Sequence, residues 1–473
     1  MWNFQCFKDN VAFISDNNES CTYNEIIAFS KQQRKYFNKK NLILCLLNNS
    51  IDAILGYVGF LQNKQVPLMV NNNIGNDSLK KLIDKYEPDF LWASKRYLSV
   101  FSSFDVIYNN KTFCLLQNSK KNTSELHSDL CLLASTSGST GSQKYVRQSY
   151  SNIKSNINSI LSYLPISRRD HTITTLPCHY TFGASIIHSH LVVGSKIILT
   201  NHPISQKEFW NTYEKNNITV FYGVPYTFEM LDRLKFFSKQ RHSLRIIAQA
   251  GGKLSEQMQK KIAQYSFNYK KLFFCMYGQA EATTRIAYLE PKKSLQKLGS
   301  IGLPIKNGKL YITNDRGEKL TGAYESGNLI YNGPNVCMGY ANKRNDLSKS
   351  DEWFGTIETG DIAHRDNDGY FYIVGRKKRF AKIFGTSVNL DDLEDILKSK
   401  FEKLEVAVVS NDKKVFLVYA SKQTKNLSKF LSPKIMLSPS VYIEVKFDKI
   451  PKTPSNKISY NEITQELRER DFL

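Results

Sequence analysis

Apolar, β-branched stretches alternate with helix-like stretches from about residue 20 to residue 290, and this alternation constrains the fold more than any other feature of the chain. Leu42-Ile43-Leu44-Cys45-Leu46-Leu47 is a continuous apolar run, the pattern of a strand buried on both faces, and Ile51–Leu61 behind it has the length and content of a buried helix. Further strands are expected at Ile173–Leu176, Lys196–Thr200, Thr219–Tyr222, Leu244–Ala248 and Leu272–Met276. Strands separated by helices argue for an α/β domain with largely parallel sheets. From Gly308 to Val374 the pattern changes to short strands punctuated by Asn314-Asp315, Asn332-Gly333-Pro334 and Asp366-Asn367-Asp368-Gly369, as in an antiparallel lobe. After Arg376 the chain reads as a small α+β unit with a helix at Leu390–Lys400, strands at Val406–Val409 and Val415–Tyr419, and then a tail. A chain of 473 residues exceeds one ordinary core. The expected organisation is a large multi-layer α/β N-terminal domain over residues 1–375 and a small α+β C-terminal domain over residues 376–473.

Other classes fall away. The longest apolar runs, around Leu42–Leu47 and Ala53–Leu61, are far shorter than the ~20 residues of a membrane span. Met1-Trp2-Asn3-Phe4-Gln5 lacks the basic region and apolar stretch of a secretion signal, so a cytoplasmic location is expected. The eight cysteines are scattered without a C-x-x-C pair, and read as free thiols of a reducing compartment rather than a disulfide framework or metal site. Net charge is +22. The chain is rich in Asn, Lys and Ile, and its basic residues are spread out with no aromatic-interleaved block, so nucleic acid is not the expected partner.

Chemistry concentrates first in Leu132-Leu133-Ala134-Ser135-Thr136-Ser137-Gly138-Ser139-Thr140-Gly141-Ser142-Gln143-Lys144. An apolar strand runs into a loop of small hydroxyl residues and glycines that a lysine closes. Glycines let backbone N–H groups turn onto phosphate oxygens, hydroxyls add donors, and the lysine adds charge. A Walker A loop, G-x-x-x-x-G-K-S/T, cannot be laid on these residues.

This segment resembles the phosphate loop T-S-G-S/T-T-G-x-P-K of the adenylate-forming superfamily: acyl-CoA synthetases, adenylation domains of peptide synthetases, and luciferases. Thr136 to Lys144 match it except for Gln143 in place of proline. The later motifs follow in order. Pro177-Cys178-His179-Tyr180-Thr181-Phe182-Gly183 resembles the segment bordering the acyl pocket, and Gly223-Val224-Pro225 and Ala250-Gly251-Gly252-Lys253-Leu254 resemble stretches lining that pocket and the adenine face. Tyr277-Gly278-Gln279-Ala280-Glu281 resembles Y-G-x-T-E, without the threonine hydroxyl. Glu325 to Tyr340 resembles G-E-L/I…G-P-x-V/L…G-Y, with Asn328 for a glutamate. Thr359-Gly360-Asp361 matches T-G-D, and Gly369 to Arg376, with Ile373, matches the entry to a hinge. Pro451-Lys452-Thr453-Pro454-Ser455-Asn456-Lys457-Ile458 resembles P-K-T-x-x-G-K, with asparagine for glycine. The matches span residues 132–458; the first 130 residues fit loosely, through Thr22-Tyr23-Asn24-Glu25 and the apolar run ending at Val66-Pro67.

The resemblance, nearest to acyl-CoA or acyl-carrier-protein synthetases, implies a role for each position. Thr136, Ser137, Gly138, Ser139, Thr140, Gly141 and Lys144 would hold phosphates. Gly251, Gly252, Lys253, Tyr277, Gly278, Gln279, Asp361, Ile373 and Arg376 would hold the rest of ATP. Asp361 would take both ribose hydroxyls, since a carboxylate offers several acceptor sites. Glu281 would hold Mg²⁺, and His179, Phe182, Gly223, Val224, Gly251 and Gly278 would border the acyl group. Lys457, His179 and Glu281 would be catalytic. The small C-terminal domain would be mobile about the hinge residue Lys378. The implied reaction is attack of a carboxylic acid on the α-phosphate of ATP with loss of pyrophosphate, then transfer to a thiol of CoA or of a phosphopantetheinyl carrier protein, whose acidic surface would suit +22. Amino-acid-activating members place an aspartate after the pocket motif, and Phe182-Gly183-Ala184-Ser185 offers none, so an uncharged acyl or hydroxyacyl substrate is expected. An amino-acid ligase and a non-catalytic nucleotide-binding homologue, the latter motivated by Ala280 and Asn456, are the alternatives.

Overall fold

The structure is a computed structural model. It describes all residues except 1, 102, 121, 137–143, 384–385, 402–403, 412, 421–425, 436–437 and 454–456, and gives the backbone alone at 99, 100, 378, 380, 382, 386, 387, 434 and 435. Two large sheets enclose a layer of helices. In the eight-stranded sheet, Leu42–Leu47 lies between Val66–Asn71 and Phe90–Ser94, parallel to both, and every residue of Leu42–Leu47 is buried. Leu130–Ser135 runs parallel beside Val66–Asn71 and turns antiparallel into Tyr145–Ser149. In the fourteen-stranded sheet, Lys196–Leu199, His171–Ile173, Val220–Gly223, Ile246–Gln249 and Leu272–Tyr277 form a parallel core. The sheet then continues antiparallel through Ala287–Leu289, Ser300–Pro304, Phe371–Arg376, Thr356–Arg365, Gly327–Asn332 and Lys309–Thr313, as the turn-rich sequence implies.

Helices Ile51–Gln62 and Thr181–Val192 are buried on nearly all sides because both sheets press on them. Ser50 starts the first helix by accepting a hydrogen bond from the Ala53 N–H. The two helices meet where the Tyr57 hydroxyl and His188 Nε2 lie 2.7 Å apart with their rings stacked. Burial pushes His188 down to about 3, so the imidazole is neutral and completes the polar pairing that a buried tyrosine needs. Among the described residues no helix is long and apolar enough to cross a membrane.

The C-terminal unit differs from expectation. Helix Leu390–Lys400 and two strands, Glu405–Ser410 and Val415–Ala420, form as read, but the remainder is not a tail. Helix Leu427–Ile435 leads to strand Tyr442–Lys446, which pairs in parallel with Val415–Ala420. Helix Tyr460–Glu469 then buries Ile463 and Leu467 in a cluster with Val409, Phe416 and Val418. The expected strand at Ile173–Leu176 is likewise displaced to His171–Ile173. Its downstream half leaves the ladder as Thr174 donates its hydroxyl to the Thr200 carbonyl.

Arg147 fixes the loop that crosses from one sheet to the other. Wholly buried on Tyr145–Ser149, it donates to the carbonyls of Met338, Tyr340, Lys349 and Ser350 and pairs with Glu352. Arg147→Met should strand these acceptors and lower stability by about 3 kcal/mol or more, read as an earlier denaturation midpoint of the whole chain.

Candidate active site

The carboxyl ends of the parallel strands of the fourteen-stranded sheet converge on its antiparallel extension, and the site is built there. Strand Leu272–Tyr277 delivers Tyr277, strand Thr356–Arg365 delivers Asp361, and Phe371–Arg376 delivers Arg376 directly opposite Asp361 in the ladder. The Tyr277 hydroxyl donates to one oxygen of Asp361, and Arg376 Nε lies 2.8 Å from the other. Burial raises the Asp361 pKa above the ordinary carboxylate range against the opposing pull of Arg376. Lys457 arrives from the C-terminal unit. The Thr453 N–H donates to its carbonyl at 2.7 Å. Lys457 keeps part of its surface in solvent, yet desolvation and then the charge of Arg376 hold its ammonium below the ordinary lysine range. Tyr277, Asp361 and Arg376, from separate parts of the sequence, are thus in direct contact, and Lys457 lies within reach of the charge of Arg376.

A second group gathers around Lys144. Thr136 and Lys144 close the loop's ends, the Thr136 N–H donating to the Lys144 carbonyl at 2.9 Å. Ser137, Gly138, Ser139, Thr140 and Gly141 lie outside the described residues, as does the side chain of Lys378, whose backbone sits in the turn Lys377–Arg379. The Lys144 ammonium lies over the Tyr340 ring, 5.2 Å from its centroid, and the Tyr340 hydroxyl donates to Glu281 at 2.8 Å. Lys144 and Glu281, far apart in sequence, are therefore joined through Tyr340. Tyr340 was read only as part of a motif and assigned no role; an aromatic residue closing a glycine motif was its one signal.

Glu281 is half-buried, and the described residues hold no cluster of three or more His, Cys, Asp or Glu side chains. That donor set fits magnesium, which is held through one or two carboxylates with the remaining positions left to substrate phosphates and water. Ala280 is buried, and the neighbouring hydroxyls are committed, Thr283 to the Asn335 carbonyl and Thr284 to the Thr181 carbonyl. No described hydroxyl there replaces the threonine absent from position 280.

The third group is apolar. His179 and Phe182 flank the start of helix Thr181–Val192, and Phe182 lies beside Gly251 and Val224. Gly251 has φ +83°, and a Cβ there would sit 3.0 Å from Val224 and 3.8 Å from Phe182. Gly278 is more constrained, since its Cβ would fall 1.7 Å from the Thr284 carbonyl oxygen. Burial pushes His179 down to about 4, and its Nδ1 is buried without a hydrogen-bond partner. Gln279 is half-buried beside Tyr277, and Ile373 faces the small cluster under Asp361. Gly252 accepts a hydrogen bond from Gln249, whereas Lys253 extends 3.7 Å from Asp395 of the C-terminal unit. Arg285, fully buried and over the Phe182 ring, was missed; a lone arginine just ahead of the apolar strand Ala287–Leu289 was the available signal.

Residues 2–341 match the AMP-binding enzyme family. The chain belongs to that family. Among its AMP-binding relatives, the 2-succinylbenzoate–CoA ligase of Bacillus subtilis strain 168 is 25% identical over 341 residues, covering 69% of this chain and 67% of the relative. The oxalate–CoA ligase of Arabidopsis thaliana is 27% identical over 366 residues, covering 72% and 68%. The o-succinylbenzoate CoA synthetase MenE from Bacillus subtilis, in complex with its acyl-adenylate intermediate, superposes with a TM-score of 0.79 at 21% identity over 97% of this chain and 96% of that one. ATP-bound MatB from Rhodopseudomonas palustris gives 0.78 at 17% identity over 98% and 97%. The large N-terminal and small C-terminal domains of these AMP-binding folds are the architecture seen here.

Ionised Asp361 is the acceptor form, and its raised pKa means that acidification protonates it sooner than an ordinary carboxylate. ATP binding should therefore weaken, as pH falls, at a pH above the usual carboxylate range. Asp361→Asn should bind weakly throughout and lose this pH dependence, measured by calorimetric titration.

Proposed function

We propose that this chain uses ATP and magnesium to convert a carboxylic acid into an acyl-adenylate with release of pyrophosphate, and then passes the acyl group to the thiol of CoA. The observation that carries this reading is the contact of Tyr277, Asp361 and Arg376 on one side, with Lys457 within reach of the charge of Arg376, while Lys144 and Glu281 are joined through Tyr340 on the other. A nucleotide spanning the two groups would place its ribose on Asp361 and Arg376 and its phosphates between Lys144 and Lys457.

Attack of a carboxylate on a phosphate brings two anions together, so the chain's task is alignment and charge neutralisation rather than covalent help. Arg376 and Asp361 fix the ribose and hence the α-phosphate. His179, neutral at pH 7, borders the incoming carboxylate without trapping it as an ion pair. Lys457 neutralises charge as pyrophosphate leaves. Held by Glu281 and the phosphates, magnesium would supply further neutralisation of phosphate charge.

The connector supports two domain arrangements. Strand Phe371–Arg376 ends in the ladder of the large sheet, whereas Arg379 pairs with Asp391 and Glu394 of the C-terminal unit. Lys377 and Lys378 lie between, which supports a hinge at Lys378, next to the expected boundary between residues 375 and 376. Rotation about two or three such residues is how small domains exchange one catalytic face for another. Named relatives are CoA ligases, which makes CoA the proposed acceptor; a carrier-protein pantetheine offers the same thiol. A cytoplasmic location goes with this metabolism. Loss of the threonine hydroxyl at Ala280 favours the second reading, a nucleotide-binding homologue without turnover. Pyrophosphate release that requires an added acid separates the two.

Lys457→Ala should slow acyl-adenylate formation by about 10²-fold or more while leaving thioester formation from a supplied acyl-adenylate nearly unchanged. Single-turnover assays of the two half-reactions check this; equal impairment of both would mean that Lys457 does not act in the adenylation arrangement alone.

A further inference from the structure

The large domain buries three arginines deeply, and it treats one of them differently. Arg147 is saturated by carbonyls and Glu352, and Arg344 pairs with Asp89 and the Glu87 carbonyl. Arg285 is 2% exposed, and its Nε and Nη1 have no hydrogen-bond partner. Among the described residues no carboxylate acts on it; the groups that do are the hydroxyls of Tyr163, which hydrogen-bonds it, and Tyr222. The guanidinium lies 4.4 Å from the centroid of the Phe182 ring, in the same pocket wall as Val224 and Gly251. Cation–π contact and one phenol satisfy only part of a group with five N–H donors. A buried cation left this way is costly unless an anion completes it.

We infer that the acid activated by this chain carries a second carboxylate, remote from the one that reacts, and that Arg285 is the residue that binds it. The inference rests on the adenylation reading and specifies its substrate class, replacing the expectation of an uncharged acyl group. A carboxylate fits better than a phosphate or sulfate ester. One guanidinium fork matches one carboxylate in charge and in bidentate geometry, and the wall formed by Tyr163, Phe182, Tyr222, Val224 and Gly251 supplies no second cation for a dianion. The same buried charge repels a substrate ammonium, so it acts in one direction with the missing carboxylate after Phe182 against free amino acids.

The test compares α,ω-dicarboxylic and aromatic dicarboxylic acids with their mono-methyl esters, which keep length and the reacting carboxyl but lose the second charge. In a pyrophosphate-release assay the wild type should prefer at least one diacid over its half ester by about 10²-fold or more in kcat/KM. Arg285→Met should collapse that ratio to within about threefold, and Arg285→Lys, which keeps charge without the fork, should give an intermediate ratio. Half esters used as well as diacids by the wild type would overturn the inference, and this arm needs no variant to fold. A ratio unchanged in Arg285→Met would overturn it too. Absence of pyrophosphate with every acid would instead sink the adenylation reading. Thermal unfolding then decides Arg285 by itself: protection by a diacid and not its half ester, lost in Arg285→Met, supports the inference, and no such difference overturns it.

Discussion

The Asp361 carboxylate is the constraint on which the rest of this molecule turns. It is buried, and two partners fix its oxygens, the Tyr277 hydroxyl and the Arg376 guanidinium. Each partner comes from a different structural layer. Tyr277 ends the last parallel strand, and Arg376 ends the antiparallel strand that leads out of the domain. One carboxylate therefore ties the parallel core, its antiparallel extension and the exit toward the C-terminal unit. The register Asp361↔Arg376 leaves no slack, because a one-residue slip would turn Arg376 to the other face.

Much of this was legible in the amino-acid order, and the reasons differ by element. Leu42–Leu47 and Leu272–Tyr277 are strands buried by neighbours on both faces, so their continuous apolar runs survive as a signal. Helix Leu390–Lys400 appears with the limits its pattern implies, capped by the Asn389 side chain on the Asp391 N–H. Strand Tyr442–Lys446 was hidden. It carries Glu444 and Lys446, and only pairing with a strand some two dozen residues earlier makes it one. The candidate site divides similarly. Residues with a fixed spacing to a glycine or to one another, such as Tyr277 and Asp361, were found through their motifs, whereas Tyr340 and Arg285 act through contacts that spacing does not encode.

Burial sets the chemistry of the site in a consistent direction. His179 is neutral because a charged imidazole cannot be solvated there, and Lys457 and Arg285 are held below their ordinary ranges by the same cause. Burial that strips water from a cation such as Arg285 makes it more attractive to anions, since the loss of solvation is recovered only when an opposite charge arrives. ATP and a carboxylic acid are both anions, and the site is poised for them by what it lacks.

The contact between Lys253 and Asp395 has a different character. Both side chains are well exposed, with their charged atoms 3.7 Å apart, and such surface pairs contribute between zero and about 1 kcal/mol. A stronger tie at that point, such as the buried and fully bonded set around Arg147, would trap the small domain in one pose and make turnover as slow as its release. If the small domain rotates as proposed, a weak, water-bathed tie of this kind would bias its pose without committing to it, and the free-energy surface between the two arrangements would stay shallow.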